Sequence, residues 1–235
     1  MRMIECTGVK KQYNKTPVLS GITFQVPDHT IAVVLGRSGS GKTTLLRVIA
    51  GLDQPDSGTI SIDGQVVDED GFHEHPARRG IGMVFQTPAL WPHLTIEEQI
   101  RYVLHGFSRD EQTKRVGALL TMTDLVALKE RYPSEISGGQ ARRTALARAL
   151  AGNPRCLLLD EPLINLDSDL KDSLILLIRE MIHTSGAPTV YVTHDRDEAL
   201  RIGDQFFMLE NGTITPVLRV DIECMTARSQ DKDSR

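Results

Sequence analysis

Cysteine is scarce: Cys6, Cys156 and Cys224 are widely spaced and odd in number. They supply neither a disulfide framework nor the paired spacing of a zinc site, so a reducing compartment is expected. Cys156, inside an apolar run, reads as plain core. No apolar stretch approaches the ~20 residues of a membrane-spanning helix. The opening Met1-Arg2-Met3-Ile4-Glu5-Cys6 lacks the character of a secretory signal. The expectation is a soluble intracellular protein whose membrane role, if any, comes through a partner. A basic excess is also missing: 27 Lys+Arg against 31 Asp+Glu leave a net charge of −4. No nucleic-acid partner is therefore expected. Internal repeats and low-complexity tracts are absent.

What remains is an ordinary globular composition, 40% hydrophobic and 25% charged. Ile22 to Val26 and Thr59 to Ile62 alternate as half-buried strands do, and Asp63-Gly64 marks a turn. Thr30 to Leu35 is a continuous, mostly β-branched run, the pattern of a strand buried on both faces. Thr44 to Ala50 then reads as a helix stopped by Gly51. From about Thr87 to Leu150 the pattern is mostly helical, with a capping box at Thr95 and Glu98. Strand-like runs resume at Cys156 to Leu159 and Thr189 to Val192, with a helix from about Ser168 to Thr184 between them. Buried strands alternating with helices predict a parallel sheet. Asn211-Gly212 predicts a final hairpin, and a short polar tail from Thr226 is expected to be disordered.

Between the first buried strand and its helix lies Gly36-Arg37-Ser38-Gly39-Ser40-Gly41-Lys42-Thr43, a full GxxxxGK[ST] loop. Its glycines let successive N–H groups point at phosphate oxygens, and the helix adds the positive end of its dipole. Lys42 is expected to neutralise the outer phosphates, Thr43 to bind Mg²⁺ and Thr44 to donate to an inner phosphate. Further on, Cys156-Leu157-Leu158-Leu159-Asp160-Glu161 delivers two carboxylates to the carboxyl end of a strand, where ligands bind in open α/β sheets. Asp160 suits the Mg²⁺ shell and Glu161 suits a water-polarising base.

Ile136-Ser137-Gly138-Gly139-Gln140, followed by Arg142-Arg143 and lying shortly before Asp160, resembles the signature motif of ABC-type ATPases. The resemblance extends in order over nearly the whole chain. It implies that Ser137, Gly138, Gly139 and Gln140 cap an ATP held on a second subunit's phosphate loop, so that the working unit is a homodimer or pseudo-dimer. It further implies Gln86 as a Q-loop glutamine touching Mg²⁺ and water, Asp167 as a D-loop aspartate, His194 as a switch histidine and Tyr13 as the ring on which adenine stacks. One departure is notable: Ile164-Asn165-Leu166-Asp167 carries a bulky apolar group where the family commonly has a small hydroxyl, which bears on coupling between the two sites.

The fold class expected is α/β. A P-loop ATPase core with a mainly parallel sheet would span about residues 1–86 and 151–217, with an antiparallel β portion on its N-terminal side. A helical subdomain would occupy about 87–150. The family's transmembrane permease subunits dock on the region after the Q-loop glutamine, here Gln86 to Leu94. Trp91, among prolines, is expected to be an exposed anchor there. The implied activity is ATP hydrolysis driving transport, with importer-like features, at the cytoplasmic face of the inner membrane. The alternatives are a soluble ABC ATPase acting on nucleic acid or ribosomes, and an efflux motor. The short interval between Gln86 and Ser137 and the single phosphate loop disfavour the former. His73-Glu74-His75 is expected to be a solvated loop rather than a metal site.

Overall fold

The computed structural model describes residues 3–224 and 226. Strands β1 (Met3–Tyr13), β2 (Thr16–Pro27), β4 (Ser57–Ile62), β5 (Gln65–Glu69) and β6 (Phe72–His73) form an antiparallel sheet in the order β2-β1-β4-β5-β6. Strands β3 (Ile31–Leu35), β7 (Ile81–Val84), β8 (Cys156–Asp160), β9 (Thr189–Thr193), β10 (Gln205–Glu210) and β11 (Thr213–Pro216) form the second sheet, ordered β11-β10-β3-β9-β8-β7. All its pairs are parallel except the β10–β11 hairpin at one edge. Every residue of β3, β8 and β9 is buried, which explains why their sequences run apolar without alternation.

Helix α1 (Lys42–Ala50) fills the space between the two sheets, where Leu45, Leu46, Val48 and Ile49 meet Ile4, Ile22 and Ile60 of the antiparallel sheet and Val190 of the parallel one. The opposite face of the parallel sheet is covered by α4 (Gly138–Ala151), α5 (Ser168–Ser185) and α6 (Arg196–Ile202). Helices α2 (Ile96–Tyr102) and α3 (Arg109–Met122) pack on the outer side of α4. There Ile96, Ile100, Leu104, Val116 and Leu120 enclose a core of their own with Ala147 and Ala151. Thr95 and Glu98 form the expected capping box, and Ser108 with Glu111 forms another, each worth about 1 kcal/mol.

Arg79 is fully buried. It donates to Asp68 Oδ2 at 2.6 Å and, through its other nitrogens, to the carbonyls of Glu74 (2.9 Å), Val48 (3.3 Å) and Ile49 (3.0 Å). It thereby fastens the antiparallel sheet to the last turn of α1.

The loop expected around Trp91 is present, and the helical segment begins at Ile96. Several other expectations need correction. His73 is not in a solvated loop: it ends β6, with Nδ1 2.7 Å from Asp68, because the buried Asp68 carboxylate needs partners. His75 caps a short 3₁₀ turn by accepting from Ala77 N–H. Among the described residues no metal cluster of His, Cys, Asp and Glu forms. Thr226, expected to begin a disordered tail, donates to the Ile222 carbonyl at 3.1 Å; residues 225 and 227–235 lie outside the described residues. Cys156 is core, and burial pushes its thiol up to about 12.

Candidate functional site

Strands β7, β8, β9 and β3 are consecutive neighbours in the parallel sheet, and their carboxyl ends point the same way. The loop after β7 carries Gln86, that after β8 Glu161, that after β9 His194, and that after β3 the glycine-rich turn. Together with Tyr13 from the end of β1 they line one open cleft of about 990 Å³, at the upper end of the range for small-molecule sites. Gly36, Ser38, Gly39, Gly41, Lys42, Thr43 and Thr44 line it as well.

The loop geometry follows from its residues. Gly41 caps α1 with φ 101°, and a Cβ there would press on Val18 at 3.1 Å, so both the backbone angle and the close approach of β2 demand glycine. Lys42 is 5% exposed and donates to the carbonyls of Gly36 (2.9 Å) and Arg37 (3.1 Å), with Glu161 Oε1 3.4 Å away. The Ser40 hydroxyl is buried and has no hydrogen-bond partner among the described residues. A buried hydroxyl left open at the start of a helix suits a ligand oxygen.

Asp160 ends β8 with 5% exposure and accepts from the Thr43 hydroxyl at 3.2 Å. Burial raises its pKa, against the lowering effect of the Thr43 hydrogen bond, and the neighbouring Glu161 adds to the rise. Two oxygen donors, one of them a carboxylate, are too few to cage a cation alone. They fit a small divalent ion that brings phosphate oxygens and water with it. Glu161 is non-glycine at φ 43°, the left-handed region, and its carboxylate Oε2 lies 2.9 Å from His194 Nδ1. Such a conformation at a non-glycine residue costs on the order of 1–2 kcal/mol. Arg142 of α4 braces the turn, donating to the carbonyls of Pro162 and Ile164 at 2.7 Å each.

The signature residues stand apart from this cleft. Ser137 caps α4, accepting from Gln140 N–H at 3.3 Å, while Gln140 Oε1 accepts from Ser137 N–H at 2.9 Å. Asp167 caps α5 through Leu170 N–H. Neither Ser137–Gln140 nor Asp167 lines the cleft. A Cβ on Gly138 would make only an ordinary contact with the Arg142 guanidinium at 3.7 Å, whereas a Cβ on Gly139 would meet Leu170 at 2.7 Å.

Trp91 is half-buried rather than an exposed anchor. Its ring lies 4.7 Å from that of Tyr102, with the Arg148 guanidinium 4.8 Å above it, because Arg148 also donates to the carbonyls of Pro88 and Ala89. The exposed aromatic nearby is Tyr102, at 61%. Sequence reasoning missed several lining residues, among them Val18, Ile164, Arg196, Met208 and Glu210. Val18 carried no signal, while Ile164 was visible only as a departure from a motif.

A strand–glycine loop–helix opening on paired carboxylates at the carboxyl edge of a parallel sheet is the P-loop α/β fold. Residues 19–164 match the family model described as ABC transporter, and the chain belongs to that family. It is 41% identical over 92% of its length to the sn-glycerol-3-phosphate import ATP-binding protein UgpC 1 of Rhizobium johnstonii, covering 58% of that relative. It is 42% identical over 91% of its length to the Fe(3+) ions import ATP-binding protein FbpC of Escherichia coli O157:H7, covering 61% of it. With the sulfate/thiosulfate import ATP-binding protein CysA of Caulobacter vibrioides the identity is 41% over 91% of the chain and 64% of the relative. The chain thus spans about three fifths of the length of these curated relatives. Among solved structures, the dimeric post-hydrolysis state of the ATP-binding cassette MJ0796 bound to ADP and Pi superposes with a TM-score of 0.79. The identity there is 30%, over 92% of this chain and 98% of that one. Among the described residues no helix is long and apolar enough to cross a membrane.

Proposed function

We propose that the chain is the ATP-hydrolysing motor subunit of an ABC importer, converting ATP and water to ADP and phosphate in a site shared between two copies or two closely similar chains. The observation that carries this reading is the separation of the site into two parts. The phosphate loop, Glu161, Gln86 and His194 converge on one cleft, with Asp160 behind it in contact with Thr43, while Ser137–Gln140 and Asp167 open elsewhere. Facing a second copy, the exposed N-terminus of α4 would close over the phosphates seated on the other loop.

In this reading Lys42 leaves the Gly36 and Arg37 carbonyls for the outer phosphates, and Ser38, Gly39 and Ser40 present hydroxyl and backbone donors around them. Thr43 and Asp160 would hold Mg²⁺ with Gln86 beside it; the ion supplies charge neutralisation at the transferring phosphoryl group. Glu161 orients and polarises the attacking water, and His194 keeps that carboxylate turned toward it. Tyr13 offers its ring to adenine. Residues about 87–150 form a helical subdomain on the ATPase core, and the surface near Gln86 to Leu94 receives transmembrane permease subunits. These hold the protein at the cytoplasmic face of the inner membrane. The import names of the relatives support the direction of transport.

The test is turnover per chain as a function of protein concentration. Activity that requires Mg²⁺ and rises with chain concentration before saturating supports a shared site. Turnover independent of concentration in a monomer overturns it.

A further inference from the structure

We propose that Asp53 is a positioning residue for the nucleotide base, holding the Tyr13 ring in register with the phosphate loop through a Tyr13–Asp53–Arg47 relay. The proposal rests on the reading of Tyr13 as the base platform. The Tyr13 hydroxyl donates to Asp53 Oδ2 at 2.6 Å, and Arg47 grips the same carboxylate with two hydrogen bonds, Nε to Oδ2 at 2.7 Å and Nη2 to Oδ1 at 3.0 Å. Arg47 belongs to α1, whose first residues are Lys42, Thr43 and Thr44. The platform and the phosphate cradle are therefore tied to one helix.

Tyr13 needs such a tie. It is the last residue of β1, 41% exposed, and is followed by Asn14 and Lys15, both at positive φ. A ring at the end of a strand, without burial to hold it, would sample several rotamers, and a base stacking on it would bear the ordering cost. Further bonds hold the backbone beneath it. Gln12 N–H donates to Asp56 Oδ2 at 2.6 Å, Asp56 N–H donates to the Lys10 carbonyl at 2.9 Å, and Lys11 Nζ donates to the Gln54 carbonyl at 2.6 Å. Lys11 Nζ also sits 5.4 Å from the centroid of the Tyr13 ring. The Arg47 hydrogen bonds lower the Asp53 pKa to about 2, so the acceptor is ionised at any working pH. A charge-assisted, bidentate anchor is more rigid than a neutral one.

The consequence is that the phenol hydroxyl of Tyr13, not only its aromatic face, contributes to nucleotide affinity. The experiment titrates the full chain calorimetrically with Mg-ATP and, separately, with inorganic tripolyphosphate, for wild type, Tyr13→Phe, Asp53→Asn, Tyr13→Ala and Tyr13→Ala/Asp53→Asn. The relay predicts that Tyr13→Phe and Asp53→Asn each weaken ATP by up to about tenfold, the value of one charged hydrogen bond. Tripolyphosphate affinity stays within about twofold in both, and Asp53→Asn adds nothing once Tyr13 is Ala. If Tyr13→Ala weakens ATP but Tyr13→Phe and Asp53→Asn do not, the platform stands and the relay is overturned. Equal loss for ATP and tripolyphosphate in Asp53→Asn makes its role general to the fold and also overturns the relay. Should Tyr13→Ala leave ATP affinity unchanged, the platform reading itself fails. Tyr13→Phe leaves the Asp53–Arg47 pair intact, so it decides the matter even if Asp53→Asn folds poorly.

Discussion

Nδ1 of His194 lies 2.9 Å from Oε2 of Glu161, across the carboxyl ends of β8 and β9. Two side chains from adjacent strands thus meet over the phosphate loop, and the other Glu161 oxygen faces Lys42. Glu161→Gln keeps the shape and removes the negative charge. Hydrolysis should fall by about 10²–10⁴-fold, with nucleotide affinity held within a few-fold, measured as phosphate release and direct binding. Retained turnover would remove Glu161 from the water-activating role.

Asp160 is buried at the expense of stability. Its burial raises its pKa above 3.8, so the folded state resists ionisation of this group. The sign follows: its contribution is most favourable below the unfolded value and declines as pH rises through the folded one. Asp160→Asn should therefore raise the melting midpoint of the nucleotide-free protein, by about 2–4 °C for each kcal/mol relieved. The gain over wild type should be larger at pH 7 than at pH 4, while Mg²⁺-dependent turnover is lost. A gain that does not grow with pH would contradict the assignment.

The two signature glycines should separate cleanly. Gly138 has room for a methyl group, so Gly138→Ala should melt like wild type and yet lose turnover, because the new group intrudes on the face proposed to meet a second copy's phosphates. Gly139→Ala forces a Cβ to within 2.7 Å of Leu170 and should destabilise the α4–α5 contact by roughly 1–3 kcal/mol. Chemical denaturation read beside activity distinguishes the two; equal destabilisation would refute the distinction.

Tyr102 borders a groove shared with Leu94, Glu98, Arg101, His105 and Gln112. Tyr102→Ala should reduce recovery of polytopic membrane proteins in gentle detergent extracts, with ATP affinity unchanged. Trp91→Ala should do the same and also lower the melting midpoint, since its ring packs on Tyr102 and Arg148. Undiminished recovery with Tyr102→Ala would move the docking surface elsewhere.

Much of this architecture can be read from local chemistry. β3 and β8 announce themselves as uninterrupted apolar runs because both faces are covered, and α2 and α4 begin at side chains that satisfy their own first N–H groups. The phosphate loop is legible because its glycines and Lys-Thr pair are contiguous. Long-range pairing is not. β1 crosses two partners with register shifts at Cys6–Val9 and Val9–Lys10, so its alternation breaks. β7 is too short to show a period. Arg79, beside Arg78, looks like any surface cation until Asp68 and the end of α1 are seen around it. The same limit hid the Asp53 relay, whose members are distant in sequence.

Arg79 has a further electrical meaning. The carbonyls of Val48 and Ile49 lie in the last turn of α1, the negative end of its dipole, and a guanidinium fixed against them acts as a resident counterion. The helix proposed to receive polyphosphate at its front is thus already neutralised at its back. Anion capture at one end and attachment of the antiparallel sheet at the other become properties of a single polarised rod.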